Sequence, residues 1–135
     1  MKRRTLLLIA AFAFFGCEKQ AEGDAHAAFA DVGVDELEKL AGEGKCVAVD
    51  ANNDDIRAQY GVVPGALMLS SYDEYALDEL PADKRTSLVF YCGYETCSAA
   101  PTAAKKAVAG GYTDVRVMKA GIRGWAKAGK KVQRP

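Results

Sequence analysis

Four cysteines, Cys17, Cys46, Cys92 and Cys97, and one histidine, His26, are the side chains of this 135-residue sequence best suited to covalent chemistry. A Ser-His-Asp or Cys-His mechanism would have to use His26. That residue lies in an Ala/Glu-rich stretch with nothing reactive beside it and reads as a solvated linker histidine. A His-rich metal site is excluded by the count, and Cys92 and Cys97 lack a second pair at ligand spacing, so no metal is expected. The informative segment is Phe90-Tyr91-Cys92-Gly93-Tyr94-Glu95-Thr96-Cys97-Ser98. It places a Cys where an apolar run ends and a small-residue helix begins. In open α/β sheets, ligands gather at the carboxyl ends of strands. Backbone N–H groups in a tight loop and at a helix amino terminus form an anion cradle that stabilises a thiolate. Cys92 can therefore serve as a nucleophile without a histidine and without a cofactor. The competing reading of Cys92 is a buried, inert thiol.

The elements that must position this loop follow from the apolar pattern. Ser87–Tyr91 is the strongest strand, with further short strands at Cys46–Val49, near Ala66–Leu69 and at Val115–Met118. Val34, Leu37 and Leu40 lie at helical spacing, and Gly42 and Gly44 end that helix. Asp54–Tyr60 reads as a short helix and Tyr72–Leu80 as a loose one. Ala99, Ala103, Ala104, Ala107 and Val108 form a small-residue stripe suited to close packing on a sheet, stopped by Gly110-Gly111. Ile122, Trp125 and Ala126 mark a last short helix, with Trp125 as packing. Alternating strands and helices predict an α/β domain with a mainly parallel sheet covered on both faces. Cys46, inside an apolar strand, is expected to be a buried thiol.

Length and charge narrow the class further. One domain is expected, and half of the residues are apolar with 27% charged, as in a globular chain. Eighteen basic residues balance 18 acidic ones, so there is no basic footprint for nucleic acid. Lys2, Arg3 and Arg4 precede an apolar run from Leu6 to Phe15, too short to span a bilayer and patterned as a secretory leader. The following Gly16-Cys17 resembles a bacterial lipoprotein signal, which implies a signal peptide over 1–16 and lipid on Cys17. The rival is ordinary cleavage at Ala25-His26-Ala27, disfavoured by the charged residues before it. The expected organisation is then a lipidated Cys and flexible tether over 17–30 and one domain over 31–135. Acyl chains hold such a protein on a membrane without a spanning helix. The implied location is the bacterial cell envelope facing the periplasm, and Glu18 in place of Asp after Cys17 leans toward the outer membrane. That compartment is oxidising.

From about Phe29 to Val132 the chain resembles a rhodanese domain. The landmarks occur in order: Val47-Ala48-Val49-Asp50, Tyr60-Gly61-Val62-Val63-Pro64-Gly65-Ala66, and Val89-Phe90-Tyr91-Cys92. They continue with Ala109-Gly110-Gly111-Tyr112-Thr113-Asp114-Val115, then Gly121-Ile122-Arg123-Gly124-Trp125 and Ala128-Gly129. The resemblance implies a central, mainly parallel sheet of about five strands flanked by helices on both faces. It implies sulfurtransferase chemistry, with Cys92 taking a sulfane sulfur from a small donor as a persulfide and passing it to a thiol or other thiophilic acceptor. The amides of Gly93, Tyr94, Glu95, Thr96, Cys97 and Ser98 would cradle the persulfide and the donor's anionic group in a monomer.

Departures from the family pattern bear on activity. The loop position commonly held by Arg is Cys97, and Glu95 adds a negative charge that disfavours both a thiolate and an anionic donor. Asn52 stands for the Arg often two residues after the strand Asp, and Val62 for the usual His of the turn. Arg57 is the nearby residue that could supply a substitute cation. Weak activity with thiosulfate is expected. Cys97 is read either as a small residue filling the vacated position or as a redox partner of Cys92. In the second case it attacks a Cys92 persulfide and releases sulfide, or protects Cys92 from over-oxidation. A Cys-dependent phosphatase would need an Arg in the loop, and none is present. The alternative function is a non-catalytic or redox-sensing binding module using the Cys92/Cys97 pair.

Overall fold

Strand Leu88–Tyr91 is buried at all four positions, as a parallel strand covered on both faces must be. The computed structural model of the protein describes residues 29–135; the leader, Cys17 and His26 lie outside them. The elements run α1 (Val34–Gly42), β1 (Val47–Asp50), α2 (Asp54–Tyr60), β2 (Leu67–Met68), β3 (Leu88–Tyr91), α3 (Ala99–Ala109), β4 (Val115–Val117) and α4 (Gly121–Lys127). The sheet order is β2-β1-β3-β4 and every pairing is parallel. Among the described residues four strands form, in rough agreement with the five or so suggested by the sequence. Two isolated bridges add to them, Val62 to Gln133 and Asp31 to Val117, the latter where the segment entering α1 exchanges bonds with β4 through Ala30 and Val32.

Alternation along β3 divides the core in two. Leu88 and Phe90 pack with Val49 and with Ala100, Ala103, Ala104 and Ala107 of α3. Val89 and Tyr91 pack with Leu37 of α1 and with Ile122 and Trp125 of α4. The alanine stripe thus lets α3 lie close on the sheet. Trp125 is buried and its Nε1 donates to the Lys131 carbonyl (2.7 Å). Cys46 precedes β1 and is buried in the second cluster; burial pushes its thiol pKa up.

The loose helix expected over Tyr72–Leu80 does not form; only Leu77–Glu79 is helical, as a 3-10 turn. Two long-range demands override local propensity there. Tyr75 is fully buried with its hydroxyl donating to the Ala103 carbonyl (2.7 Å). The Glu79 carboxylate accepts from the Ser70 amide and hydroxyl (2.9 and 2.6 Å).

A buried ion pair closes the carboxyl end of the sheet. Arg57, which the sequence offered as a cation for the cysteine loop, instead donates from Nε to Asp50 Oδ1 (3.0 Å). Its Nη2 donates to the carbonyls of Leu69 (2.8 Å) and Asp50 (3.2 Å), and its Nη1 to Asp54 (3.2 Å). Asn52 N also donates to Asp50 Oδ1 (2.8 Å). Asp50 Oδ2 has no hydrogen-bond partner among the described residues. The Tyr91 hydroxyl, which accepts from Val63 N (3.0 Å), is held protonated first by burial and then by the Asp50 charge.

Arg57→Met should cost about 3–5 kcal/mol in urea unfolding, because it strands a buried carboxylate. Asp54→Asn, at a 99% exposed partner, should cost less than about 0.5 kcal/mol. Equal losses in the two variants would show that the buried contacts carry no special weight. Burial also pushes Tyr75 up to about 12 from 10.0 and raises Tyr91. Below the ordinary tyrosine pKa both folded and unfolded chains keep these protons. Above it the unfolded chain loses them first, so stability should fall as pH rises from about 10 through about 12. Urea midpoints across that range check the slope, which Tyr75→Phe should reduce.

Candidate active site

The site begins where β3 runs out. Cys92 follows Tyr91 directly and is 3% exposed. Its carbonyl accepts from Ile122 N (2.8 Å), and the Gly93 carbonyl accepts from Arg123 N (3.0 Å). The start of α4 therefore holds the loop by its oxygens. Cys97 N donates to the Tyr94 carbonyl (3.1 Å), closing a turn over Tyr94, Glu95 and Thr96, all exposed. Among the described residues, the amides of Gly93, Tyr94, Glu95, Thr96 and Ser98 donate to no backbone acceptor. They are the groups left for an anionic ligand. Ser98 then leads into α3, whose first turn carries no acidic residue.

Gly121 makes this seat possible. It has φ +66°, and a Cβ there would lie 2.7 Å from Gly93 C and Tyr94 N and 2.8 Å from Cys92 O. Only glycine permits both the conformation and the approach. Gly93 faces Asn52, whose Oδ1 would lie 3.7 Å from an added Cβ. Asn52 is 9% exposed and its Nδ2 has no partner. Asn52 thus occupies the space at the end of β1 without putting a charge there.

Cys92 and Cys97 are joined as a disulfide, with Cα atoms 6.3 Å apart. This distance is within the ordinary range for such a bond. The loop therefore brings the two expected residues together. Cys97 is half-buried and packs at the margin of the α3-side core, whereas Cys92 is a member of that core.

Two clefts flank the loop. One of about 220 Å³ is lined by Cys92, Cys97, Glu95, Pro101, Met118 and Lys119, among others. The other, about 600 Å³, lies against Tyr60, Tyr94, Thr96, Arg123 and Lys127. Lys119 and Arg123 were not identified as site residues from the sequence. Lys119 follows β4, the parallel neighbour of β3, so its position at the same edge was readable from strand order alone. Arg123 bonds the loop through its amide, and its guanidinium lies over the Tyr60 ring (5.7 Å). Arg57 is not among the residues lining either cleft.

These features define an α/β domain with a cysteine-bearing loop between a central parallel strand and the helix that follows. The chain belongs to the rhodanese-like domain family, whose model matches residues 33–128. Its fold is similar to that of thiosulfate sulfurtransferase from Pseudomonas aeruginosa (TM-score 0.68, 22% identity), covering 82% of this chain and 21% of that one. The human single-domain sulfurtransferase TSTD1 is also similar (TM-score 0.57, 24% identity, 72% of this chain and 95% of that one). So is a Rhodopseudomonas palustris protein described as a possible tyrosine phosphatase (TM-score 0.65, 21% identity, 81% and 88%). No curated protein matches the sequence.

Gly121→Ala should destabilise the domain by about 1–3 kcal/mol through backbone strain and displace the loop. Gly129→Ala has φ +77° in open space and serves as the control for strain without crowding. Thermal unfolding of the two variants separates the effects; a Gly121→Ala variant no worse than Gly129→Ala would mean that the loop has room to give.

Proposed function

We propose that the protein is a sulfurtransferase whose nucleophile is Cys92, held at the bacterial cell envelope by lipid on Cys17. The observation that carries the reading is the position of Cys92 at the end of β3, in a loop where the amides of Gly93, Tyr94, Glu95, Thr96 and Ser98 lack backbone acceptors among the described residues. In the reduced protein the Cys92 thiolate attacks the sulfane sulfur of a donor. The donor's bond to that sulfur breaks (S–S in thiosulfate or polysulfide, C–S in mercaptopyruvate), and its electron pair leaves with the remainder of the donor, as the pyruvate enolate in the last case. An acceptor thiolate then takes the outer sulfur of the Cys92 persulfide and restores the Cys92 thiolate. Where Cys97 acts instead, its thiolate attacks Cys92 Sγ, hydrosulfide leaves, and the Cys92–Cys97 disulfide is the product.

Donor preference follows from charge. The turn carries Glu95 and no cation, and Lys119 is the one basic residue lining the smaller cleft. A thiosulfate dianion loses the charge-assisted bonds an arginine would provide, each worth on the order of 1.5–3 kcal/mol. The absence of a loop arginine also argues against phosphoryl transfer. The disulfide favours one second reading: a redox-sensing module that uses the same pair without turnover.

After reduction, exposure to thiosulfate, polysulfide or mercaptopyruvate should add the mass of one sulfur atom to the Cys92 peptide. Cys92→Ser should abolish that adduct. Turnover with thiosulfate should run roughly ten- to a hundredfold below that with polysulfide, given the missing charge-assisted contact. If no donor marks Cys92 in the reduced protein, the redox-sensing reading replaces this one. Cys17→Ser should move the protein from the membrane to the soluble envelope fraction; unchanged sedimentation with membranes would refute the lipid anchor.

A further inference from the structure

The two sulfurs of the disulfide are not equivalent targets. Opening a disulfide requires a thiolate to approach one sulfur along the S–S axis, from the side opposite the other sulfur. Access to that rear side selects which sulfur is attacked. Cys92 belongs to the core: the residue is 3% exposed and clusters with Val49, Leu69, Ala100 and Val117, which leaves little room for a thiolate to reach its sulfur. Its backbone is pinned by the bonds from Ile122 and Arg123 to the carbonyls of Cys92 and Gly93. Cys97 ends the exposed turn over Tyr94, Glu95 and Thr96 and is itself half-buried. Both cysteines line the smaller cleft, so what separates them is exposure: Cys97 is half-buried on the turn, whereas Cys92 is 3% exposed.

We propose that the disulfide is reduced by a dithiol that enters at Cys97, so that the mixed disulfide forms on Cys97 and Cys92 departs as the thiolate. The steps balance without a further reactant. The first thiolate of the dithiol bonds to Cys97 Sγ, the Cys97–Cys92 bond breaks, and its electron pair goes to Cys92 Sγ. The second thiol of the dithiol loses its proton to solvent and attacks the dithiol's own sulfur in the mixed disulfide. Cys97 is released as a thiolate, and the dithiol leaves oxidised. The protein gains two electrons and the dithiol loses two. Within the sulfur-transfer reading, on which this inference rests, reductant and sulfur donor then address different cysteines. Cys97 receives electrons and Cys92 receives sulfur. Reduction produces the nucleophile in its reactive form at the first step.

The test uses the full-length oxidised chain and needs no sulfur donor, so failure of sulfur transfer would leave its readout intact. The protein is mixed with glutathione, acid-quenched at early times, alkylated and mapped by peptide mass. A parallel arm uses a thioredoxin-type dithiol protein whose resolving Cys is replaced by Ser, so that the mixed disulfide is trapped. A third arm compares the rate of reduction by dithiothreitol with that by the intact dithiol protein, which tells a small reductant from a protein one. The expected result is glutathione, or the trapped protein, on Cys97 with the alkyl group on Cys92, in at least roughly tenfold excess over the reverse. A factor of ten corresponds to about 1.4 kcal/mol between the two routes. An adduct on Cys92, an even distribution, or both thiols alkylated before any thiol is added would overturn the inference.

Discussion

The Asp50–Arg57 pair is the contact on which the arrangement of this end of the sheet depends. Asp50 closes β1, and Arg57 comes from α2. Together they tie that strand and helix to the Leu69 carbonyl just beyond β2. Tyr91, the residue before the nucleophile candidate, borders the same carboxylate and reaches across to the Val63 amide. A charge removed from water this completely costs several kcal/mol unless paired. The carboxyl ends of β1, β2 and β3 are thus held in register by a polar network as well as by packing. The cysteine loop starts from that fixed edge.

From this edge outward, burial falls. Cys92 is in the core, Gly93 is seated on Asn52 and α4, and the turn over Tyr94, Glu95 and Thr96 stands in solvent. Cys97 returns the chain to the margin of the core at the start of α3. The two cysteines therefore belong to different supports, one to β3 and one to the entry of α3. Only a short turn separates them, so a change in their bonding can remain local. The rhodanese-like domain model matches residues 33–128, so this loop and both cysteines lie within the matched region.

Much of this was legible in the residues because it depends on local pattern. The limits of α2, the alanine stripe of α3 and the buried β3 follow from periodicity and from glycine stops. The position of the cysteine loop was legible from a Cys at a strand end followed by a small-residue helix, whereas its reading as a reactive loop came from the resemblance to the rhodanese family. Contacts between distant side chains were less so. Tyr75 and Glu79 pull the segment after β2 out of helix through partners at Ala103 and Ser70; the first is 28 residues away, beyond any local window, and the second is a side-chain contact that apolar periodicity does not register. Arg57 was read as a cation for the loop, yet Asp50, seven residues earlier, takes it. Lys119 became a site residue only once β4 was placed beside β3. Pairing of the cysteines was one of two open readings, since a sequence separation of five permits a bond without requiring one.

The seat of the loop on α4 divides labour between main chain and side chains. With the Cys92 and Gly93 oxygens turned inward to the amides of Ile122 and Arg123, the peptide dipoles at the reactive position point their positive ends outward. That field belongs to the backbone and is indifferent to which side chains follow. Side chains at the turn, Glu95 and Cys97 among them, therefore set the charge presented to a ligand while the main-chain donors stay where α4 fixes them. Ligand charge and backbone polarity are, in this loop, the business of different atoms.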